Sequence, residues 1–287
     1  MKTLDGVVFI IKKNYSLFLI KKFTNDIKDT IRNNLSEICS GYDLAGSSCE
    51  LFNYKSTVKE FLKRLEDKSQ NIQKGMIGEL LVHIILCNFF DDKYKTVSPF
   101  FNMEERSIKK GYDIVLSEVD NPYSLWITEV KSGVNNSKIK SSDKKINGLL
   151  NLAKRDLNLR LNNENCSLWR EAINAAKVSL EDNSSIKKAV ISVLGNWGND
   201  AVEGSYSSKD KNVFLSGVLF SDLSDPITEK NLNNKYVKVK KERNPFKQFF
   251  ILALQKATYS QIIHFLKEEA EYEEQRSDTE KSKNNSF

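Results

Sequence analysis

Apolar positions along the chain follow two periods, and the change from one to the other separates expected helices from expected strands. Gly6 to Ile11 and Tyr15 to Ile20 are short β-prone runs and predict two strands. Ile27, Ile31, Leu35 and Ile38 then recur at helical steps behind the capping candidates Thr24 and Asn25, which predicts a helix. Gly41 to Ser48 reads as a loop, and Val58, Phe61, Leu62 and Leu65 mark a helix from about Ser56 to Leu65. Behind Ser69, apolar residues from Ile72 to Phe89 nearly encircle one long helix ending near Asp91, the pattern of an element buried between layers. Thr96 to Phe101 is expected as an edge strand.

Two further strands frame a turn. Gly111 to Ser117 and Leu125 to Lys131 flank Asp120-Asn121-Pro122, and a hairpin folded about Asn121 pairs positions whose numbers sum to 242. Asp113 then lies across from Glu129. Alternation puts Glu129 and Lys131 on the face of Ile127, and Trp126, Thr128 and Val130 on the other. Two carboxylates and an ammonium therefore converge from separate positions in the chain.

Beyond Ser132-Gly133, which closes that strand, a basic, asparagine-rich helical region extends to about Leu161, and Trp169 to Leu180 is helical again. Ala189 to Leu194 reads as a buried strand ending in the turn Gly195 to Asn199, with Trp197 as a loop aromatic folded on the core. Val213 to Phe220 reads as a strand and Tyr236 to Lys240 as a half-exposed edge strand; a last helix is expected from about Gln248 to Glu274. The chain divides into an N-terminal α/β extension (1–66), a main domain (67–266) and a polar tail (267–287) expected to be disordered.

Composition narrows the chemistry. A chain of 287 residues, 40% hydrophobic, can bury a full core, and no uninterrupted apolar run reaches the roughly 18 residues of a membrane span, so a cytoplasmic protein without membrane contact is expected. Cys39, Cys49, Cys87 and Cys166 are dispersed and the only histidines are His83 and His264, which disfavours a zinc site and most histidine-based hydrolysis. There is no phosphate loop for an intrinsic nucleotide-driven motor. Chemistry should rest on carboxylates.

Charge is distributed unevenly. From Lys131 to Arg160 the basic residues Lys131, Lys138, Lys140, Lys144, Lys145, Lys154, Arg155 and Arg160 face only Asp143 and Asp156, so this window carries the whole chain's net +6. Directly after the paired acids, Lys138, Lys140, Lys144, Lys145, Lys154 and Arg155 form a candidate DNA-binding patch for a phosphate backbone; the Lys138 to Lys145 run reads equally as an ordinary solvated face. Glu79 adds a third acid. Its helical neighbours are Gly75, Met76, Val82 and His83, a glycine-lined, largely apolar face on which a carboxylate needs a reason. Gly75 and Gly78 each cost about 1 kcal/mol against alanine, which implies a close approach at that turn. His83 reads as a core residue.

An acid-x-lysine triplet alone is uninformative, since Asp26-Lys28, Glu66-Lys68, Asp91-Lys93 and Asp143-Lys145 repeat it in a chain that is 29% charged. Only Glu129-Val130-Lys131 ends an apolar strand, faces a strand acid and follows a buried-looking helix with its own acid. In this it resembles the PD-(D/E)xK nuclease superfamily, with Glu79 matching the helical acid, Asp113 the strand acid, and Glu129 and Lys131 the acid-x-lysine pair; Tyr112 stands where the motif's name has proline. The resemblance covers residues 69 to about 195 and implies a restriction-endonuclease-like α/β core, a mixed central sheet flanked by helices. More narrowly, Gly78-Glu79, Lys110 to Asp113 and Leu125 to Lys131 are similar to the HamA family, nuclease subunits of the Hachiman anti-phage system, which act with a helicase, HamB.

The resemblance implies a DNA nuclease using Mg²⁺ or Mn²⁺. Asp113 and Glu129 would be direct metal ligands, the Val130 carbonyl a third, and Glu79 would hold a second metal or a metal-bound water. Lys131 would orient the attacking water and stabilise developing negative charge. The alternatives are a non-catalytic DNA-binding or assembly subunit that keeps the fold, and a restriction-type endonuclease.

Overall fold

The computed structural model describes residues 2–101, 111–135, 141–164, 166–242 and 244–284. A mixed seven-stranded sheet runs through the molecule, built from β1 (Val7–Ile11), β2 (Tyr15–Ile20), β3 (Tyr94–Thr96), β4 (Ile114–Glu118), β5 (Leu125–Val134), β6 (Asn212–Phe220) and β7 (Gln248–Lys256). Their order is β1-β2-β7-β6-β5-β4-β3. The middle strands β2, β7, β6 and β5 are parallel; β1 at one edge, and β4 and β3 at the other, pair antiparallel. The first two strands thus extend the same sheet, through β2 on β7.

Alternation along the strands feeds two cores, one on each face. On one face Phe18, Ile114, Leu116, Trp126, Phe214, Val218 and Leu254 pack under α1 (Asn25–Ser40), α3 (Tyr54–Leu65), α4 (Gln70–Phe89) and α9 (Ser260–Asn284). On the other, Leu17, Val115, Ile127, Val213, Leu215 and Ile251 pack under α5 (Ser142–Leu161), α6 (Cys166–Ser179), α7 (Ser185–Val202) and α8 (Glu229–Lys241). Around the central hairpin the chain order is α4, then the meander β3-β4-β5, then α5, with α6 and α7 preceding β6. α4 has the length and hydropathy to cross a membrane, but its segment from Ile77 to Leu86 lies in the core, where His83 packs its ring edge-on to Phe100 at 5.9 Å.

Several expectations are corrected. Ala189 to Leu194 is part of helix α7: Val190, Leu194 and Ala201 are buried along one side, Ser184 caps the first turn by accepting from Lys187 N at 3.1 Å, and Gly195 and Gly198 fall inside the helix. Trp197 therefore sits on a helix, against Trp169 at 5.4 Å and under the Lys211 ammonium. Tyr236 to Lys240 belongs to α8, whose buried Leu232, Lys235 and Val239 are spaced at helical intervals. Gln248 to Lys256 is strand, with its run from Phe249 to Leu254 buried on both faces as a central parallel strand requires. The edge strand lies at Tyr94–Thr96, earlier than expected, and a short helix α2 (Tyr42–Ala45) interrupts the loop after Gly41. The stretch after 266, expected as a disordered tail, continues α9 to Asn284, tied down by Arg32 to Glu269 at 2.6 Å and Lys59 to Glu274 at 2.7 Å. Of the four dispersed cysteines Cys39 is buried, Cys87 and Cys166 are half-buried and Cys49 is exposed.

Candidate active site

The hairpin forms in the register set by its turn: Ile114 pairs with Thr128, Val115 with Ile127, Leu116 with Trp126 and Ser117 with Leu125. Asn121 closes the bend, its carbonyl accepting from Ser124 N at 2.8 Å and its side chain from Tyr123 N at 3.3 Å. β4 ends at Ile114, whereas β5 runs on to Val134 with β6 still paired on its other side. From Glu129 onward, among the described residues, one edge of β5 has no strand beside it. A backbone N–H left open there needs an acceptor. Asp113 supplies it: its Oδ2 accepts from Val130 N at 2.7 Å, which fixes the carboxylate at the point where the sheet splits. In a strand the N–H and C=O of one residue point to the same side, so the Val130 carbonyl opens into the same gap.

Glu129 lies beside it, on the face covered by α5, and is fully buried. Its two oxygens are held by Lys131 Nζ at 2.8 Å and Arg160 Nη1 at 3.1 Å. Burial pushes the Glu129 carboxyl well above the usual carboxylate range, the neighbouring Asp113 charge pushes it further, and Arg160 and Lys131 oppose both. Lys131 also reaches Asp156 Oδ2 at 2.9 Å. Burial works against the Lys131 ammonium, but Glu129 and then Asp156 outweigh it and hold the lysine above its ordinary value, so it is charged at neutral pH. For Asp156 partial burial raises the carboxyl, and the Lys131 and Arg155 hydrogen bonds more than reverse this, so it stays ionised.

The helix behind these contacts runs antiparallel to β5: Lys145 lies over Gly133, Asp156 reaches Lys131 and Arg160 reaches Glu129. Asp156 and Arg160 stand one helical turn apart, flanking the buried Leu157. Arg160 entered the sequence reading only as part of a basic window and Asp156 only as one of its two acids. The signal available was their four-residue spacing near the end of a helix that must fold back along β5. Tyr112 and Trp169, rings 5.1 Å apart, wall the site below Arg160, and burial raises the Tyr112 hydroxyl.

Asp113, Glu129, Val130 and Lys131 are thus brought together. Glu79 belongs to α4, on the opposite face of the sheet; the adjacent Gly78 packs so tightly on Ser132 that a Cβ there would lie 1.9 Å from its Oγ. That close approach is the one expected of the α4 glycines. Gly75, by contrast, faces open space. Glu79, half-buried, therefore borders β5 at the residue after Lys131, across the strand from Glu129. Of the basic candidates, Lys138 and Lys140 lie outside the described residues. Lys144 and Lys145 occupy the first turn of α5; Lys154 pairs with Glu242 at 3.4 Å, and Arg155 is exposed beside Asp156.

Among the described residues no three His, Cys, Asp or Glu side chains converge on one point. The donor set at the split is two carboxylates and a backbone carbonyl, all hard oxygens. That suits Mg²⁺ or Mn²⁺, which are commonly held by one or two carboxylates and completed by water and phosphate oxygens.

Comparison with known families places these residues inside one match: the model of the HamA family covers residues 3–270 of the 287. A search of curated proteins returned no match.

Proposed function

The chain belongs to the HamA family, a component of Hachiman antiviral defence, and on that footing we propose that it is a metal-dependent nuclease that hydrolyses DNA phosphodiester bonds alongside a helicase partner. The observation that carries the reading is Glu129: a fully buried carboxylate beside a second one, at an open sheet edge, with a lysine two residues on. An unpaired charge so placed costs several kcal/mol, so the fold surrounds it with cations, as a site for phosphate chemistry would.

Asp113, Glu129 and the Val130 carbonyl would hold Mg²⁺ or Mn²⁺, which when bound neutralises phosphate charge and favours ionisation of water. The chain's own residues do the rest. Lys131, held in place by Asp156, orients the attacking water through its ammonium and stabilises the charge that develops on the phosphate oxygens. Arg160 holds Glu129 in position and favours its ionised form, opposing the upward push of burial and of Asp113. Glu79, on the turn of α4 whose Gly78 packs on Ser132, is the candidate for a second cation or its water. The chain has no phosphate loop, which supports a separate motor subunit.

One observation favours a second reading. Both Glu129 oxygens already have cationic partners, so the cluster is electrically satisfied as it stands and would suit a non-catalytic DNA-binding subunit. Degradation of plasmid and linear DNA in Mg²⁺, by the protein alone and with its helicase partner, separates the two. The nuclease reading expects cleavage by wild type and none by the Glu129→Ala, Lys131→Ala double variant. Equal activity of the two proteins removes the assignment, and no cleavage under either metal, with salt-sensitive binding that survives loss of Asp113 and Glu129, establishes the binding subunit.

A further inference from the structure

α4 and α5 lie on opposite faces of the sheet and both run antiparallel to β5. Gly78 meets Ser132 on one face, while the stem of Lys145 lies over Gly133 on the other, 3.1 Å from where a Cβ would stand. The sheet-facing stripe of α4 is Gly78, Leu81, Val82 and Ile85, all buried. Continued backward at helical spacing, the stripe becomes Lys74 and Asn71, one to two turns past Ser132. Lys74 thus stands about 6 Å beyond Gly78 along the helix, about level with Val134 at the end of β5. There it is half-buried and donates to Asn71 Oδ1 at 2.9 Å; burial, and after it the charge of Lys145, lower its ammonium below the ordinary lysine value.

Among the described residues no carboxylate pairs with either lysine. Two like charges converging from opposite faces, one of them partly desolvated, are unfavourable until an anion joins them. Gly75 keeps the helix surface beside Lys74 bare. Gly133 is two residues from Lys131 on the same face, about 7 Å along the strand.

We infer that Lys74 and Lys145 form a clamp for a backbone phosphate of the bound nucleic acid, next to the one held at Asp113, Glu129 and Lys131. The inference rests on the nuclease reading for what lies beside the clamp, but its test does not need cleavage. Full-length protein in EDTA is titrated with fluorescent single-stranded and duplex DNA across a range of salt. The Lys74→Gln, Lys145→Gln double variant should bind at least about ten-fold more weakly at low salt. Its plot of log affinity against log salt should be shallower by about 0.7–0.9 units, the change that one lost phosphate contact implies.

The Lys74→Arg, Lys145→Arg variant should restore the slope, and removing two exposed lysines elsewhere, Lys177→Gln with Lys188→Gln, should leave it unchanged. Thermal unfolding checks that each variant is folded. An unchanged slope, a slope lowered equally by the control pair, or no DNA binding by wild type overturns the clamp. If wild type cleaves DNA yet the slope is unchanged, the clamp fails and the nuclease reading stands; a lost slope without any cleavage gives the converse.

Discussion

The two halves of β5 have opposite characters. From Leu125 to Thr128 every residue is buried, and from Trp126 the strand has a neighbour on each side; its polar backbone is spent on β4 and β6, and its side chains serve two cores. From Glu129 to Val134 it keeps β6 but loses β4, and within three residues it carries a buried acid, an open carbonyl and an ion-paired lysine. One missing strand makes the difference. A central strand has no room for an ionised group; a strand with an open edge beside a hydrophobic core can hold one, provided charges from another element reach it, as Asp156 and Arg160 do from α5.

The largest effect expected from breaking this contrast is chemical. Asp113→Asn, Glu129→Gln and Lys131→Met should each lower DNA cleavage by about 10³-fold or more while the circular dichroism spectrum is retained, since the first two remove carboxylates that would hold the metal and the third the cation facing the developing charge. In the covered half the same kind of change should act on folding. Ile127→Ala, at a fully buried position, should lower unfolding free energy in urea by about 2–5 kcal/mol and leave cleavage per folded molecule near wild type.

Next in size is the strain stored at Glu129. Its folded-state carboxyl titrates above the ordinary value of 4.5, so the folded protein binds more protons than the unfolded chain from about that pH toward neutrality. Its contribution to stability therefore falls as pH rises through that window. Glu129→Gln should be more stable than wild type at neutral pH and gain progressively less as pH falls to 4.5, measured by urea unfolding at each pH.

The smallest effects separate the two glycines of α4. Gly78→Ala would drive a methyl against Ser132 and should destabilise by about 1–3 kcal/mol, partly recovered when Ser132→Ala removes the hydroxyl. Gly75→Ala meets nothing and should stabilise the helix by up to about 1 kcal/mol in the same unfolding assay.

What could be read from the sequence follows the same division between local and long-range causes. The hairpin register was legible because turn chemistry and alternation act over a few residues, and both agree on Ile114 with Thr128. Asp156 and Arg160 were not, because their role exists only once α5 folds back along β5. Ala189 to Leu194 looked like a strand because its short run is apolar but for Ser192 and holds Val190, Ile191 and Val193; the helix shows only over the full span from Ser185 to Val202. Gln248 to Lys256 erred the other way, since a strand buried on both faces has no period to betray it. The α4 glycines were read as a pair, yet only Gly78 faces the sheet.

The most direct test of the central claim is an anomalous difference map from crystals of the protein soaked in Mn²⁺. A peak bound directly by the carboxylates of Asp113 and Glu129, lost in Glu129→Gln crystals, is the predicted result. A map with no peak at the open edge of β5, with Lys131 and Arg160 still on Glu129, would contradict it.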